Sequence, residues 1–210
     1  MNCKLFEGIN ENELPLLLKK LSATEIVCDK NTIVLHSGEK VKNIYVCIEG
    51  SFVLENINSD GSVNIISTLS KGSHFGRAFA FTDAISPADL RALSKGKLIA
   101  ISKDRLLLLD DGDTEKNKIF ANLISILANK STFLITKIQH LSQRSIRGKI
   151  TSYLNEISKQ SGKREFLIPL DRQGLADYLC VDRSALSKEL SKMRDDGLID
   201  YRKNMFVIKY

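Results

Sequence analysis

The chain has 210 residues, 43% hydrophobic and 27% charged, a globular balance with room for one large domain or two modest ones. No apolar run approaches the roughly 20 residues that cross a bilayer. The opening MNCKLFEGINENELP is polar where a secretory signal would be apolar, which predicts a cytoplasmic protein with no membrane partner. The net charge of +6 is unevenly placed. Residues 140–210 hold 14 Lys or Arg against 9 Asp or Glu, and the first 139 hold 17 against 16, so the basic excess lies where a polyanion would be met.

In chain order, residues 24–103 read as short β-strands: EIVCDKN, TIVLHSG, NIYVCIEGSFVLENI, VNIISTL and KLIAIS. Asn-Ser-Asp-Gly, Ser-Gly-Glu and Lys-Gly-Ser turns divide them, a pattern that predicts a sandwich or roll. Ile44, Val46 and Ile48 alternate with Tyr45, Cys47 and Glu49, and Gly50 permits a tight turn before Phe52 and Leu54 resume the pattern. Cys3, Cys28, Cys47 and Cys180 form no C-x-x-C pair and have no histidine at metal-ligand spacing. They are expected to be free and buried, with no metal or cofactor.

From Asp113 to Leu141 the texture changes to one long helix. Phe120, Ile124, Leu127, Ser131, Leu134, Ile138 and Leu141 recur at spacings of four and three, a heptad seam that calls for a partner helix. Ile119, Leu123 and Ile126 supply a second stripe for the chain's own sheet. Packing of the seam against that sheet is the competing use, and self-association into a homodimer is the reading preferred.

The remainder is helical until a short hairpin. SIRGKITSYLNEIS is amphipathic, Lys159 to Arg164 reads as a loop, and helices follow near Arg172–Leu179 and Arg183–Asp195 with Cys180-Val181-Asp182 between them. Gly197 ends the second helix, and LIDYR and MFVIKY flank Lys203-Asn204 as a wing. Leu175, Ala176 and Leu179 on the first helix, and Leu186, Leu190 and Met193 on the second, form the buried faces. Asp182 caps the second helix. Its open face carries Arg183, Ser184, Ser187, Lys188 and Ser191. Arg183 can grip guanine O6 and N7 with both arms of its fork, and the hydroxyls and lysine reach base edges or phosphates of double-stranded DNA.

In this order the segments resemble the cyclic-AMP receptor/fumarate-nitrate regulator (CRP/FNR) family almost end to end. LFEGINENEL resembles its helical opening, HSGEKVKNIYVCIEGSFVL its cyclic-nucleotide-binding β-roll, KGSHFGRAFAF its phosphate-binding cassette and RQGLADYLCVDRSALSKEL its helix-turn-helix. The resemblance implies an α+β protein: a β-roll sensor domain over 1–112, a dimerisation helix over 113–141 and a winged helix-turn-helix over 142–210. It places DNA contacts at Arg183, Ser184, Ser187 and Lys188, with Arg172 and Gln173 at phosphates. Cys180 stands where the family has glycine, which implies backbone strain of order 1 kcal/mol.

The effector site departs from the family. The cassette glycine matches Gly76, but the ribose-binding glutamate position holds Arg77, and the phosphate-binding Arg-Ser pair falls on Ser86 and Pro87. The hydroxyl residues that meet the base fall on Leu134 and Ile135, with Ser131 and Thr132 as the alternative one turn away. These departures argue against cyclic AMP. Gly76, Arg77, Ser86 and Arg91 are left as a candidate pocket for another, unidentified small molecule. Arg77 could equally pair internally, and Arg91 could simply be solvated. An iron–sulfur site would need clustered cysteines near Cys3, and a haem site a histidine where Ala78 stands. His36, His74 and His140 are assigned core or surface roles.

Three functions are compatible with the sequence to different degrees. The leading one is a regulator on palindromic DNA, acting with RNA polymerase. A small-molecule module with vestigial DNA binding is the alternative, opposed by the basic last third. A metal-dependent β-roll enzyme would need more inward histidines than His36 and His74.

Overall fold

The computed structural model describes residues 3–57, 60 and 62–210. The expected Asn-Ser-Asp-Gly turn, apart from Asp60, lies outside them. Contacts divide the chain into two compact units, Met1–Ala128 and Asn129–Tyr210.

The first unit opens with a 3-10 turn, Lys4–Phe6, and α1 (Leu14–Lys20). There follow β1 (Thr24–Cys28), β2 (Ile33–Leu35), β3 (Asn43–Glu49), β4 (Phe52–Ile57), β5 (Val63–Leu69) and β6 (His74–Phe75). The unit continues with α2 (Arg77–Phe81), β7 (Asp89–Ala92), β8 (Gly96–Ser102), α3 (Lys103–Leu107) and the start of α4 (Thr114–Leu141). Two antiparallel four-stranded sheets, in the orders β1-β8-β3-β6 and β2-β7-β4-β5, form the expected roll. The alternation along β3 sorts two cores. Tyr45 and Cys47 point between the sheets, with Phe52, Leu54, Leu69, Phe75 and Leu90. Ile44 and Val46 face outward, where Leu5, Leu17, Leu21, Leu106, Ile119 and Leu123 cover them. Gly50 has φ +79, and a Cβ there would meet Lys95 O at 2.6 Å, so only glycine passes this corner.

Several expectations change. Phe120, assigned to the open seam, packs edge-on against Phe81 at 6.2 Å within the outer core. Ile119 and Leu123 are buried as anticipated, while Ile124, Leu127, Leu134 and Ile138 stand exposed. By length and composition α4 could cross a bilayer, contrary to the expectation that no apolar run would be long enough. The cysteines are free, but Cys180 is exposed rather than buried.

The second unit holds α5 (Ile146–Ser161), β9 (Glu165–Leu167), α6 (Arg172–Leu179), α7 (Arg183–Asp195), β10 (Ile199–Arg202) and β11 (Met205–Ile208), after the last part of α4. Its core joins Ile150, Leu154, Leu175, Leu179, Leu186, Leu190, Met193 and Phe206. The β9 strand pairs with β11, adding a third strand to the expected two-stranded wing.

In the first unit His74 sits opposite Val46 in the β3–β6 ladder and shares its outward face. Both ring nitrogens are buried without a hydrogen-bond partner. Burial, and then the nearby Arg77 charge, push its pKa down to about 4, so the folded protein holds it neutral. In the unfolded chain it titrates near ~6.5. The unfolded state therefore binds the extra proton between those values, and stability falls as pH drops through that window. Urea titrations at falling pH are expected to show this slope, and His74→Asn to flatten it; an unchanged slope would contradict the buried neutral ring.

Candidate nucleic-acid interface

Two short helices and a wing build this surface within the second unit. Asp171 begins α6, its Oδ1 accepting from Gly174 N at 2.7 Å. The helix ends at Cys180, whose φ of 51° and ψ of 57° are left-handed, and Val181 N closes the turn by donating to Ala176 O at 3.0 Å. Asp182 then caps α7, accepting from Ser184 N at 2.8 Å and Ala185 N at 2.9 Å. The Ser184 hydroxyl, donating to the same carboxylate, and then these backbone amides hold its carboxyl below the usual carboxylate range. Fully buried Ala176 leaves room for α7 to cross, and Leu186, Leu190 and Met193 are fully buried beneath the helix. The C-terminus of α7 closes through Gly197 at φ +72.

The sequence-predicted residues fall into three groups. Arg183 and Lys188 are exposed on the open face of α7, and neither joins an ion pair among the described residues. Ser187 is half-buried beside them. Ser184 is exposed, but its hydroxyl donates to Asp182 at 2.5 Å, so its proton is engaged in the cap. Arg172 and Gln173 have other local partners. The Arg172 guanidinium lies 5.0 Å from the Tyr201 ring centre and 5.7 Å from that of Phe206, and donates to Lys203 O at 3.4 Å. Gln173 donates to Asp177 at 2.8 Å. Arg172 thus ties the start of α6 to the wing.

Sequence reasoning missed the groups that hold α7 in place. Arg147 on α5 pairs with Glu189 at 2.6 Å and with Asp196 at 2.7 Å, pinning the middle of the helix and its C-terminal cap. Lys149 donates to Leu179 O at 3.1 Å, meeting the negative end of α6. Arg194 stacks over the other contact of the wing, the Tyr201 ring, at 5.4 Å. The partners lie up to 49 positions apart, as Arg147 and Asp196 do, and no local spacing announces them.

In the roll, the four candidate effector residues make their contacts separately. Gly76, at φ +90, starts α2 with Asn43 O only 2.5 Å from where a Cβ would stand. Arg77 reaches His74 O at 3.5 Å, and its Nε is buried with no partner. Ser86 is buried and donates to Ala88 O at 2.6 Å. Arg91 is not a solvated cation: its fork donates to buried Glu55 at 2.6 and 3.0 Å and to Asn31 at 2.9 Å. The internal pairing considered for Arg77 is made by Arg91 instead. Between the sheets Tyr45, Phe75 and Phe79 form a continuous aromatic row, with ring centres 6.5 and 5.7 Å apart.

Comparisons with known proteins agree with this arrangement. Residues 25–110 match the family described as cyclic nucleotide-binding domain, and residues 148–209 the Crp-like helix-turn-helix domain. The cAMP-activated global transcriptional regulator CRP of Pasteurella multocida is 25% identical over 186 residues, 85% of this chain and 86% of that protein. Regulatory protein HlyX of Actinobacillus pleuropneumoniae is 23% identical over 196 residues, 91% of this chain and 80% of its own length. The catabolite activator protein of Thermus thermophilus shares the fold, with a TM-score of 0.59 at 18% identity over 98% of this chain and 93% of that one. A roll, a long helix and a winged helix-turn-helix in this order define a two-part regulator of transcription. The chain belongs to the CRP/FNR family of DNA-binding transcription regulators, a family of regulators rather than enzymes. Soluble members of this family are cytoplasmic.

The left-handed Cys180 gives a direct test. An L-residue pays about 1–2 kcal/mol in that conformation, while glycine adds about 0.5–1 kcal/mol of chain entropy to the unfolded state. Cys180→Gly is therefore expected to raise unfolding free energy by about 0.5–1 kcal/mol in urea titrations. Cys180→Ala should leave it unchanged, and a loss of stability in the glycine variant would contradict the assignment.

Proposed function

We propose that the protein is a cytoplasmic homodimer that reads a two-fold-symmetric DNA site through α7, without binding cyclic AMP and without catalysing a reaction. The observation that carries this reading is the face of α7. Arg183 and Lys188 project from a helix whose opposite side is fixed by three buried apolar residues, an aspartate cap and the Arg147 clamp. Such a face enters a major groove with a cationic fork at its N-terminal end. In this reading Arg183 reads a base, Lys188 and Ser187 meet base edges or phosphates, and Arg172 acts mainly by placing the wing.

Self-association is supported by the exposed stripe of Ile124, Leu127, Leu134 and Ile138 along α4, which a second copy of the helix would cover. The same cover would keep α4 out of a membrane despite its length. Against cyclic AMP stand the aromatic row between the sheets, the engaged Arg91 and Ser86, and the arginine at position 77. This separates the chain from its cAMP-activated relative in Pasteurella. Of the four candidate effector positions, Arg77 beside Gly76 keeps an unpaired N–H, which suits an anion better than a neutral ligand. The bound dimer would act through contact with RNA polymerase or by blocking it.

Fluorescence anisotropy on an inverted-repeat promoter fragment tests the reading. Arg183→Ala is expected to lose about 1–3 kcal/mol of preference for its own sequence over scrambled DNA. Lys188→Ala is expected to weaken both equally and lower the salt dependence by about one phosphate contact. Affinity for DNA that is absent, or independent of salt, would favour the module with vestigial DNA binding.

A further inference from the structure

The second unit contains a cleft of about 490 Å³ whose lining includes no residue of α7. Its walls come from the last part of α4, from α5, from the Pro169-Leu170 segment and from α6. The volume lies within the range of small-molecule sites, about 300–1,000 Å³. At 100° per residue, Thr132, Phe133, Thr136 and His140 lie on α4 roughly 160° from the seam of Leu127, Leu134 and Ile138. A second copy packed on the seam would leave this cleft open.

The lining is aromatic on one side and carries a single carboxylate. Tyr153 and Tyr178 stand 5.2 Å apart between ring centres, and His140 and Phe133 meet Tyr178 at 6.1 and 6.3 Å. Burial pushes the His140 ring towards its neutral form, and its Nδ1 is bonded to Ser152 at 2.8 Å. Glu156 is half-buried, and its Oε1 accepts from Gln160 at 2.9 Å, leaving its second oxygen free to accept from a ligand. Among the described residues that line the cleft, Glu156 is the one formally charged group. The ring faces already draw cations from the rim: Lys137 Nζ lies 5.1 Å over Tyr178, and Lys130 Nζ 5.2 Å over Phe133. An anionic ligand would meet the Glu156 carboxylate, while the rim lysines Lys130 and Lys137 are engaged on the ring faces of Phe133 and Tyr178.

The geometry points to a binding site for a small organic amine, its ammonium at Glu156 and its flat apolar body against Tyr153 and Tyr178, with the Thr132 and Thr136 hydroxyls along one edge. This ligand is opposite in charge to a cyclic nucleotide, and its site is in the other unit from the roll. Because Tyr178 lies on α6 and Leu170 immediately precedes the Asp171 cap, the ligand would touch α4, α5 and the first helix of the helix-turn-helix together. Any effect on DNA binding rests on the function proposed above; the binding itself does not.

The chain has no tryptophan, so an indole probe is read without background. Tryptamine and its anionic counterpart indole-3-propionate would be titrated with the full-length protein and followed by indole anisotropy. Tryptamine is expected to bind with a Kd below about 1 mM and at least about tenfold tighter than the acid. Glu156→Gln should bring the two affinities together. Thr136→Phe, which fills the cleft from the α4 side, should weaken tryptamine; circular dichroism and melting confirm that each variant is folded. The proposal is overturned if tryptamine does not bind, if the two probes bind equally, or if both variants bind tryptamine like the parent.

Discussion

Ile124, Leu127, Leu134 and Ile138 leave α4 with an apolar stripe that faces water in the isolated chain. Burying such surface is worth about 25 cal/mol per Å², and this chain covers the helix N-terminal to the stripe and on the side opposite to it. Ile119 and Leu123 close the outer core of the first unit, while Phe133, Thr136 and His140 border the cleft in the second. In the reading proposed above, a second copy would cover the stripe without disturbing either contact. Pairing two chains through this helix would also make two copies of α7 available to one duplex.

The recognition surface follows a similar division. Leu186, Leu190 and Met193 fix one side of α7, Asp182 satisfies its first amides, and Arg147 binds Glu189 and Asp196. A helix anchored in this way presents Arg183 and Lys188 with little freedom except in their own side chains. The wing is held to the same unit by arginine on aromatic faces, Arg172 and Arg194 on Tyr201.

Much of this was legible in the sequence because it is local. The extents of α6 and α7, the turn at Cys180-Val181-Asp182, the Asp182 cap and the Lys203-Asn204 hairpin all follow from residues within a few positions of one another, while the strain at Cys180 was implied by the family resemblance. The strand alternation in β3 announced two cores. Pairings across the fold were not legible. The Arg91–Glu55 fork joins residues 36 apart, and nothing near Arg91 distinguishes it from a solvated cation. Phe120 fits the heptad spacing, yet Phe81 draws it into the outer core. The β9 strand is three residues long and forms only because β11 offers it an edge. The cleft beside Tyr178 needs three helices to exist, so no motif could mark it.

The paired-helix account is tested most directly by hydroxyl-radical footprinting of the protein on a natural promoter that it binds. Two protected patches on one face of the duplex, centred about one helical turn (~34–36 Å) apart and related by a two-fold axis, are predicted. A single patch, or uniform protection along the fragment, would contradict it.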